Sequence, residues 1–178
     1  MAKKSYPLSK VYGLLEPGPV VLVTTQGKTD PNIMTMSWHT MMEFEPPMIG
    51  CVISSQNYTF SILKATKECV ISIPTVEIAK QVVGIGNSSG RDTHKFEAFA
   101  LTSGKAKFVQ APLIDECYAN LECKVVDTKL VPKYNFFILE VVKAWINPSI
   151  KVPRTIHHQG KGRFMVTGEI LNLPSKMK

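Results

Sequence analysis

The chain carries no C-x-x-C pair: Cys51, Cys69, Cys117 and Cys123 come no closer than C-x5-C, a spacing that excludes zinc-ribbon and thioredoxin-type sites. H-E-x-x-H is missing too, and no carboxylate–histidine cluster falls at ligand spacing, so no metal site is expected. Without a G-x-S-x-G elbow, the familiar serine-hydrolase signature is excluded. Although the net charge is +7, no run of five Lys or Arg occurs, nor any aromatic-studded basic motif of the RNA-recognition type. Nucleic acid is therefore not an expected partner, and the charge reads either as a basic soluble surface or as attraction for an anionic ligand. No apolar stretch approaches the roughly 20 residues that span a bilayer, and the first residues lack the apolar core of a signal peptide. A cytoplasmic protein with no membrane association is the expectation, and its cysteines are expected to be buried, reduced thiols.

What is present is an ordinary globular balance, 44% hydrophobic and 20% charged over 178 residues. With neither an internal repeat nor a linker of domain scale, it reads as a single domain over 1–178, with a core from about 16 to 170. The short polar ends, Met1 to Lys4 and Pro174 to Lys178, are expected to fray. Apolar or alternating runs bounded by turn residues predict strands at 20–25, 33–40, 48–54, 69–73, 118–126, 136–146 and 164–166. Short helices are predicted over 58–66 and 76–83, and residues 148–162 read as irregular and basic. Many strands with few short helices predict a mainly β, barrel-like architecture, not a doubly wound sheet.

Three constellations stand out. Along the predicted strand 33–40, Thr35, Ser37 and His39 share one parity while Met34, Met36 and Trp38 share the other, which predicts a polar face backed by a packed one. A donor-rich cluster from Ser54 to Thr59 opens the first helix, and helix N-termini attract anions. The stretch Gly84 to Gly90 is spaced G-x-G-x-x-x-G, one residue too long for a dinucleotide fingerprint, and it follows a helix where the fingerprint follows a strand. It reads as a surface loop or a loop bordering a ligand. With the pair His94-Lys95, the two donor-rich patches suit a phosphate-bearing ligand with a polar edge. His157 and His158 are adjacent, so both cannot enter one site from a regular strand.

The segment PGPVVLVTTQGKTDPNIMTMSWHTMMEFEPPMIGCVI resembles the opening of the flavin reductase-like, FMN-binding split-barrel superfamily. NYTFSILKATKECVISIP, GNSSGRDTHKF and RTIHHQGKGRFMVTGEI resemble later family segments in the same order, and the last is similar to flavoredoxin-type members. The resemblance runs from about Pro17 to Glu169. It implies a six-stranded Greek-key split β-barrel with a few flanking helices, and a homodimer with FMN near the subunit interface. It also implies a flavin site formed by Asn32, Met34, Thr35, Ser37 and Trp38, with phosphate and ribityl contacts from Ser54, Asn57, Thr59, Lys95 and Arg91. Many relatives carry a basic residue where this chain has Asn57, so Lys95 and the helix dipole inherit the phosphate charge.

The function implied is that of an FMN-dependent oxidoreductase: a flavoredoxin-like electron-transfer protein or an NAD(P)H:flavin reductase. The expected electron donor is NAD(P)H or a small iron–sulfur protein. A non-catalytic flavin-binding protein and a basic nucleic-acid-associated β-barrel are the competing readings. The flavin itself supplies the redox chemistry, so no catalytic side chain is required. His157 or His158 is a candidate proton shuttle, with no preference between them, against a plain surface pair.

Overall fold

The computed structural model describes Pro7 and residues 18–174. Of the ends expected to fray, Met1 to Lys4 and 175–178 lie outside the described residues, and Pro174 is coil. Pro17, where the resemblance begins, lies outside them as well.

Five strands and a helix form the first half of the chain: β1 (Val21–Gln26), β2 (Pro31–Met36), β3 (His39–Phe44), β4 (Pro47–Val52), helix α1 (Tyr58–Thr66) and β5 (Glu68–Ile73). A 3-10 turn, Val76–Ile78, leads into α2 (Ala79–Gly86), followed by the single-turn α3 (Lys95–Ala98). The short pair β6 (Ser103–Gly104) and β7 (Leu113–Ile114) precedes the long strand β8 (Ala119–Asp127). The chain then runs through the single-turn α4 (Val131–Tyr134), β9 (Phe136–Ile146), β10 (Ile156–His158) and β11 (Phe164–Val166).

Seven strands make one sheet in the order β2-β1-β5-β8-β9-β4-β3, every neighbouring pair antiparallel. Its two edge strands, β2 and β3, are consecutive in the chain and joined only by Ser37 and Trp38. The sheet must therefore curl until its edges nearly meet without pairing, which is a split barrel. The resemblance implies six strands where the sheet has seven, and the segment 33–40, which reads as one strand, divides between β2 and β3. The chain instead turns a corner at Ser37-Trp38, where the N–H of His39 donates to the Ser37 carbonyl (3.1 Å) and that of Val52 to the Trp38 carbonyl (3.0 Å).

Alternation along the strands separates two cores. Val21 and Val23 point into the barrel with Met36, Ile49, Cys51, Cys69, Ile71, Cys123, Phe137 and Leu139. Leu22 and Ile33 point outward beneath Val82 and Ile85 of α2 and Leu101, Ile114 and Ile156. Because both faces of β1 are covered, Val21, Leu22 and Val23 are apolar in succession, with no alternation. All four cysteines are free and buried, as expected. Burial and the neighbouring Cys123 push the Cys51 thiol up to about 12, so it stays protonated and packs as a small apolar group.

The region 148–162 is less irregular than its composition predicts. Ile156–His158 pairs with Phe164–Val166, placing His157 opposite Met165 and His158 opposite Phe164. The hairpin tip runs through Gly160, Lys161 and Gly162, all with positive φ, a conformation the two glycines make accessible. The hairpin is held to the barrel by the Val20 N–H donating to the Ile156 carbonyl at 2.7 Å. Among the described residues, no helix is long and apolar enough to cross a membrane.

Candidate functional site

Strand β2 has a partner on one side only, β1. Its other edge faces the N-terminus of α1, the C-terminal end of α2 and the loop that follows. Two cavities, each about 260 Å³, lie along this edge and share Thr35 and Gly86, so they form one continuous groove. One end is lined by Asn32, Gln56 to Thr59, Ser88 to Arg91 and Lys95. The other is more apolar, lined by Val20, Met36, Val82, Val83 and Phe164 together with Ser37, Asn87 and His158.

Lys95 lies at the floor of the polar end and is only 4% exposed. Its Nζ donates to the carbonyls of Ile33 (2.8 Å) and Ile85 (2.9 Å), which leaves one of the three ammonium protons for a ligand. Burial lowers its pKa to about 8, and among the described residues no carboxylate offsets it. A buried ammonium that meets only carbonyls is a strong attractor for an anion. The same contact orients the strand. Since the Ile33 carbonyl points away from β1, Thr35, two residues on, also turns its N–H and C=O to the free edge. That edge offers a flat ligand alternating donors and acceptors.

Around this floor the walls are fixed by side chains. The Asn32 amide, 4% exposed, donates to Thr59 Oγ1 at 2.8 Å, tying β2 to the first turn of α1. Its Oδ1 has no partner and lies against Gly90, where a Cβ would collide with the amide. Thr35 Oγ1 donates to the Val82 carbonyl at 2.7 Å and locks β2 under α2. Asn57 caps α1 without a side-chain capping bond; its Nδ2 lies 3.0 Å from Met34 Sδ. The positive end of α1 therefore remains directed at the groove. The Arg91 guanidinium sits 5.2 Å from the Tyr58 ring centroid at the exposed rim.

Of the residues expected at the site, Asn32, Met34, Thr35, Asn57, Thr59, Arg91 and Lys95 line the polar end, and Ser37 the other. Ser54 falls short of the groove: its Oγ accepts the Gln56 N–H at 3.3 Å, and Gln56 takes the wall position instead. Trp38 lies outside the groove of a single chain, 58% exposed on the link between β2 and β3. The shared polar face of Thr35, Ser37 and His39 does not form, because the corner at Ser37-Trp38 breaks the alternation. His39 Nε2 instead lies 2.7 Å from the Pro19 carbonyl. The adjacent histidines are separated by the pleat of β10, and His158, packed 5.1 Å from the Phe164 ring, is the one that reaches the groove. Tyr58, Gly86 and Ser88 to Gly90 complete the walls; Tyr58 lies in the donor-rich cluster 54–59 and the others in the glycine–serine loop. Among the described residues, no group of three or more His, Cys, Asp or Glu is placed to hold a metal ion.

A groove with a buried cation and a helix N-terminus at one end, and a free strand edge with apolar walls at the other, fits a flat, phosphate-terminated ligand. An uncharacterized protein of Archaeoglobus fulgidus is 37% identical to this chain over 116 residues, 65% of this chain and 66% of that protein. An FMN-binding domain of a flavin reductases-like enzyme from Shewanella baltica superposes with a TM-score of 0.83 at 26% identity, covering 96% of this chain and 97% of that one. Flavoredoxin of Desulfovibrio vulgaris superposes with a TM-score of 0.84 at 24% identity, covering 97% of both chains. The sequence profile of the flavin reductase like domain matches residues 14–165. With that match and the split barrel described above, the chain belongs to the flavin reductase-like domain family.

Proposed function

We propose that the groove holds FMN and that the protein is an FMN-dependent oxidoreductase, acting as a flavoredoxin-like electron carrier or as a flavin reductase. The observation that carries this reading is Lys95, a buried ammonium bonded to two carbonyls and facing a groove whose other end is apolar and flat-walled. In this assignment Lys95, Asn57, Thr59 and the N-terminus of α1 hold the phosphate and ribityl chain, with Arg91 at the rim. The free edge at Thr35 and Ser37 faces the polar rim of the isoalloxazine, and Met36, Val82 and Phe164 pack near its ring system. Bound FMN supplies reversible one- and two-electron chemistry. The chain's own residues bind it, orient it and exclude water from one side.

In this reading His158, which lines the apolar end of the groove, holds or moves a proton there. An electron donor has access from the β10–β11 side, where Arg154, Lys161 and Arg163 supply positive charge. No second nucleotide-binding motif exists in the sequence, so a nicotinamide would lie over the exposed flavin face, held weakly and in a salt-sensitive way by those exposed charges.

The protein is further proposed to work as a homodimer. β3 is an edge strand exposed along nearly its whole length. It presents Met41, Met42 and an 87% exposed Phe44 beside Trp38. A bare apolar sheet edge of this kind is normally covered, and a second copy would cover it through a twofold contact.

Visible absorption of the purified protein tests the flavin assignment, with absorbance near that of FMN expected. Anaerobic stopped-flow with NADH, NADPH and a small iron–sulfur donor at two salt concentrations tests the role. The carrier reading expects slow reduction by the nicotinamides and fast reduction by the iron–sulfur donor. Fast, saturable, salt-insensitive reduction by NADH or NADPH identifies a dedicated reductase.

A further inference from the structure

A third cavity, about 300 Å³, lies apart from the flavin groove, between α1 and the turn that carries α4. Phe60, Lys64 and Lys67 form one wall. Phe60 and Lys64 fall at i and i+4 on one face of α1, and Lys67, its left-handed C-cap, follows at the end of that helix. Val131 and Pro132 form the opposite wall, and Ser55, Thr128 and Asn135 supply polar groups around it. No residue is shared with either part of the groove.

The cavity is cationic on one side and apolar on its floor, and its lining contains no carboxylate. The two acidic residues nearest in sequence are engaged elsewhere: Glu68 Oε1 accepts the Gln110 N–H at 2.7 Å, and Asp127 Oδ1 accepts the Lys129 N–H at 2.6 Å. Lys64 and Lys67 are both exposed, so each can turn its ammonium toward a ligand without losing a partner carboxylate. The floor is rigid. The Phe60 ring packs edge-on against Phe137 with centroids 5.4 Å apart, and Phe137 is completely buried in the barrel core. The opposite wall is held by the Val131 N–H donating to the Thr128 carbonyl at 3.0 Å and the Ile53 N–H donating to the Asn135 carbonyl at 3.1 Å.

We propose that this cleft binds a small aromatic carboxylate, its ring between Phe60 and the Val131-Pro132 wall and its carboxylate between Lys64 and Lys67. A fixed aromatic edge facing an aliphatic wall accepts a flat ring. Two lysines three residues apart select an anion over a neutral ring.

Benzoate is the probe, with acetate and benzyl alcohol as comparators that each keep one half of the recognition. Binding to the full chain is measured by isothermal titration and by ligand-detected NMR, with and without saturating FMN. Benzoate is expected to bind at least tenfold more tightly than either comparator and to remain bound when FMN is added. The double variant Lys64→Gln/Lys67→Gln, which changes only exposed side chains, is expected to weaken benzoate about tenfold and leave FMN affinity unchanged. Three results would overturn the proposal: benzoate binding no better than acetate, displacement of benzoate by FMN, or full benzoate affinity in the double variant.

Discussion

Lys95 and Ile33 are separated by 62 positions in the chain, yet the ammonium of the first donates to the carbonyl of the second at 2.8 Å. This contact turns the free edge of β2 toward the groove and buries a positive charge beside it.

Affinity for FMN is expected to depend on pH through Lys95. Burial lowers its pKa to about 8 in the ligand-free chain, and only the protonated form makes a charge-assisted bond to phosphate. A bound phosphate, in turn, stabilises the charged form and raises that pKa. FMN affinity should therefore hold on the acid side of pH 8 and fall above it, while riboflavin affinity stays flat. Fluorescence titrations between pH 7 and 10 check this. The same lowered pKa carries a stability consequence of fixed sign. Between about 8 and the unfolded value near 10.4 the unfolded chain binds more protons, so the ligand-free fold gains stability as pH rises through that window.

Gly90→Ala should damage the groove without unfolding the barrel. The added Cβ meets the Asn32 amide, so either the 84–90 loop or the Asn32–Thr59 bond must move. Overpacking of this kind costs about 1–3 kcal/mol. The expected outcome is weakened FMN binding with a modest drop in melting temperature, measured by flavin titration and thermal denaturation on the same sample.

Glu122 provides a control remote from the groove. Its fully buried carboxylate accepts the N–H groups of Lys107, Phe108 and Val109 and the Trp145 indole at 2.7 Å. Burial alone would raise its pKa, but these donors outweigh burial and the net shift is downward. Glu122→Gln should destabilise the fold by about 1–3 kcal/mol and leave FMN affinity alone. A lowered carboxylate pKa contributes stability that is complete above the unfolded value near 4.3 and lost as pH falls through the folded one. The variant should therefore lose stability at neutral pH and show a shallower acid limb. Urea denaturation at pH 7 and pH 4 measures both.

The architecture was legible in the sequence where strands are long and bounded by turns. The strand predicted at 136–146 and the helix predicted at 58–66 coincide with β9 and α1. The corner at Ser37-Trp38 was not legible, because N-I-M-T-M-S-W-H-T alternates as one unbroken strand. Only the closure of the sheet, a long-range condition, forces the bend. For the same reason the sequence does not show that Gln56, not Ser54, lines the groove: the entry angle of α1 depends on what it packs against. The basic pair His94-Lys95 and the resemblance both point to Lys95 as an anion contact; nothing local marks a lysine that will reach the carbonyls of Ile33 and Ile85. His157 and His158 could not be separated until β10 paired with β11, since register alone decides which ring faces inward.

Introducing charge on β3 should separate the proposed dimer. Phe44→Glu with Met41→Glu changes two exposed side chains and should yield a monomer that keeps its fold. Light scattering and circular dichroism check the two halves of that statement, and a wild-type chain that is monomeric with flavin fully bound would contradict the dimer.

The most direct measurement is a parallel titration of the wild-type chain and Lys95→Met with FMN and riboflavin at pH 7. FMN should bind the wild-type protein more tightly than riboflavin, and the substitution should weaken FMN by about 1.5–3 kcal/mol while leaving riboflavin almost unchanged. Equal affinity of the wild-type chain for the two flavins, or undiminished FMN binding in the variant, would contradict the assignment of this groove to a phosphate-bearing flavin.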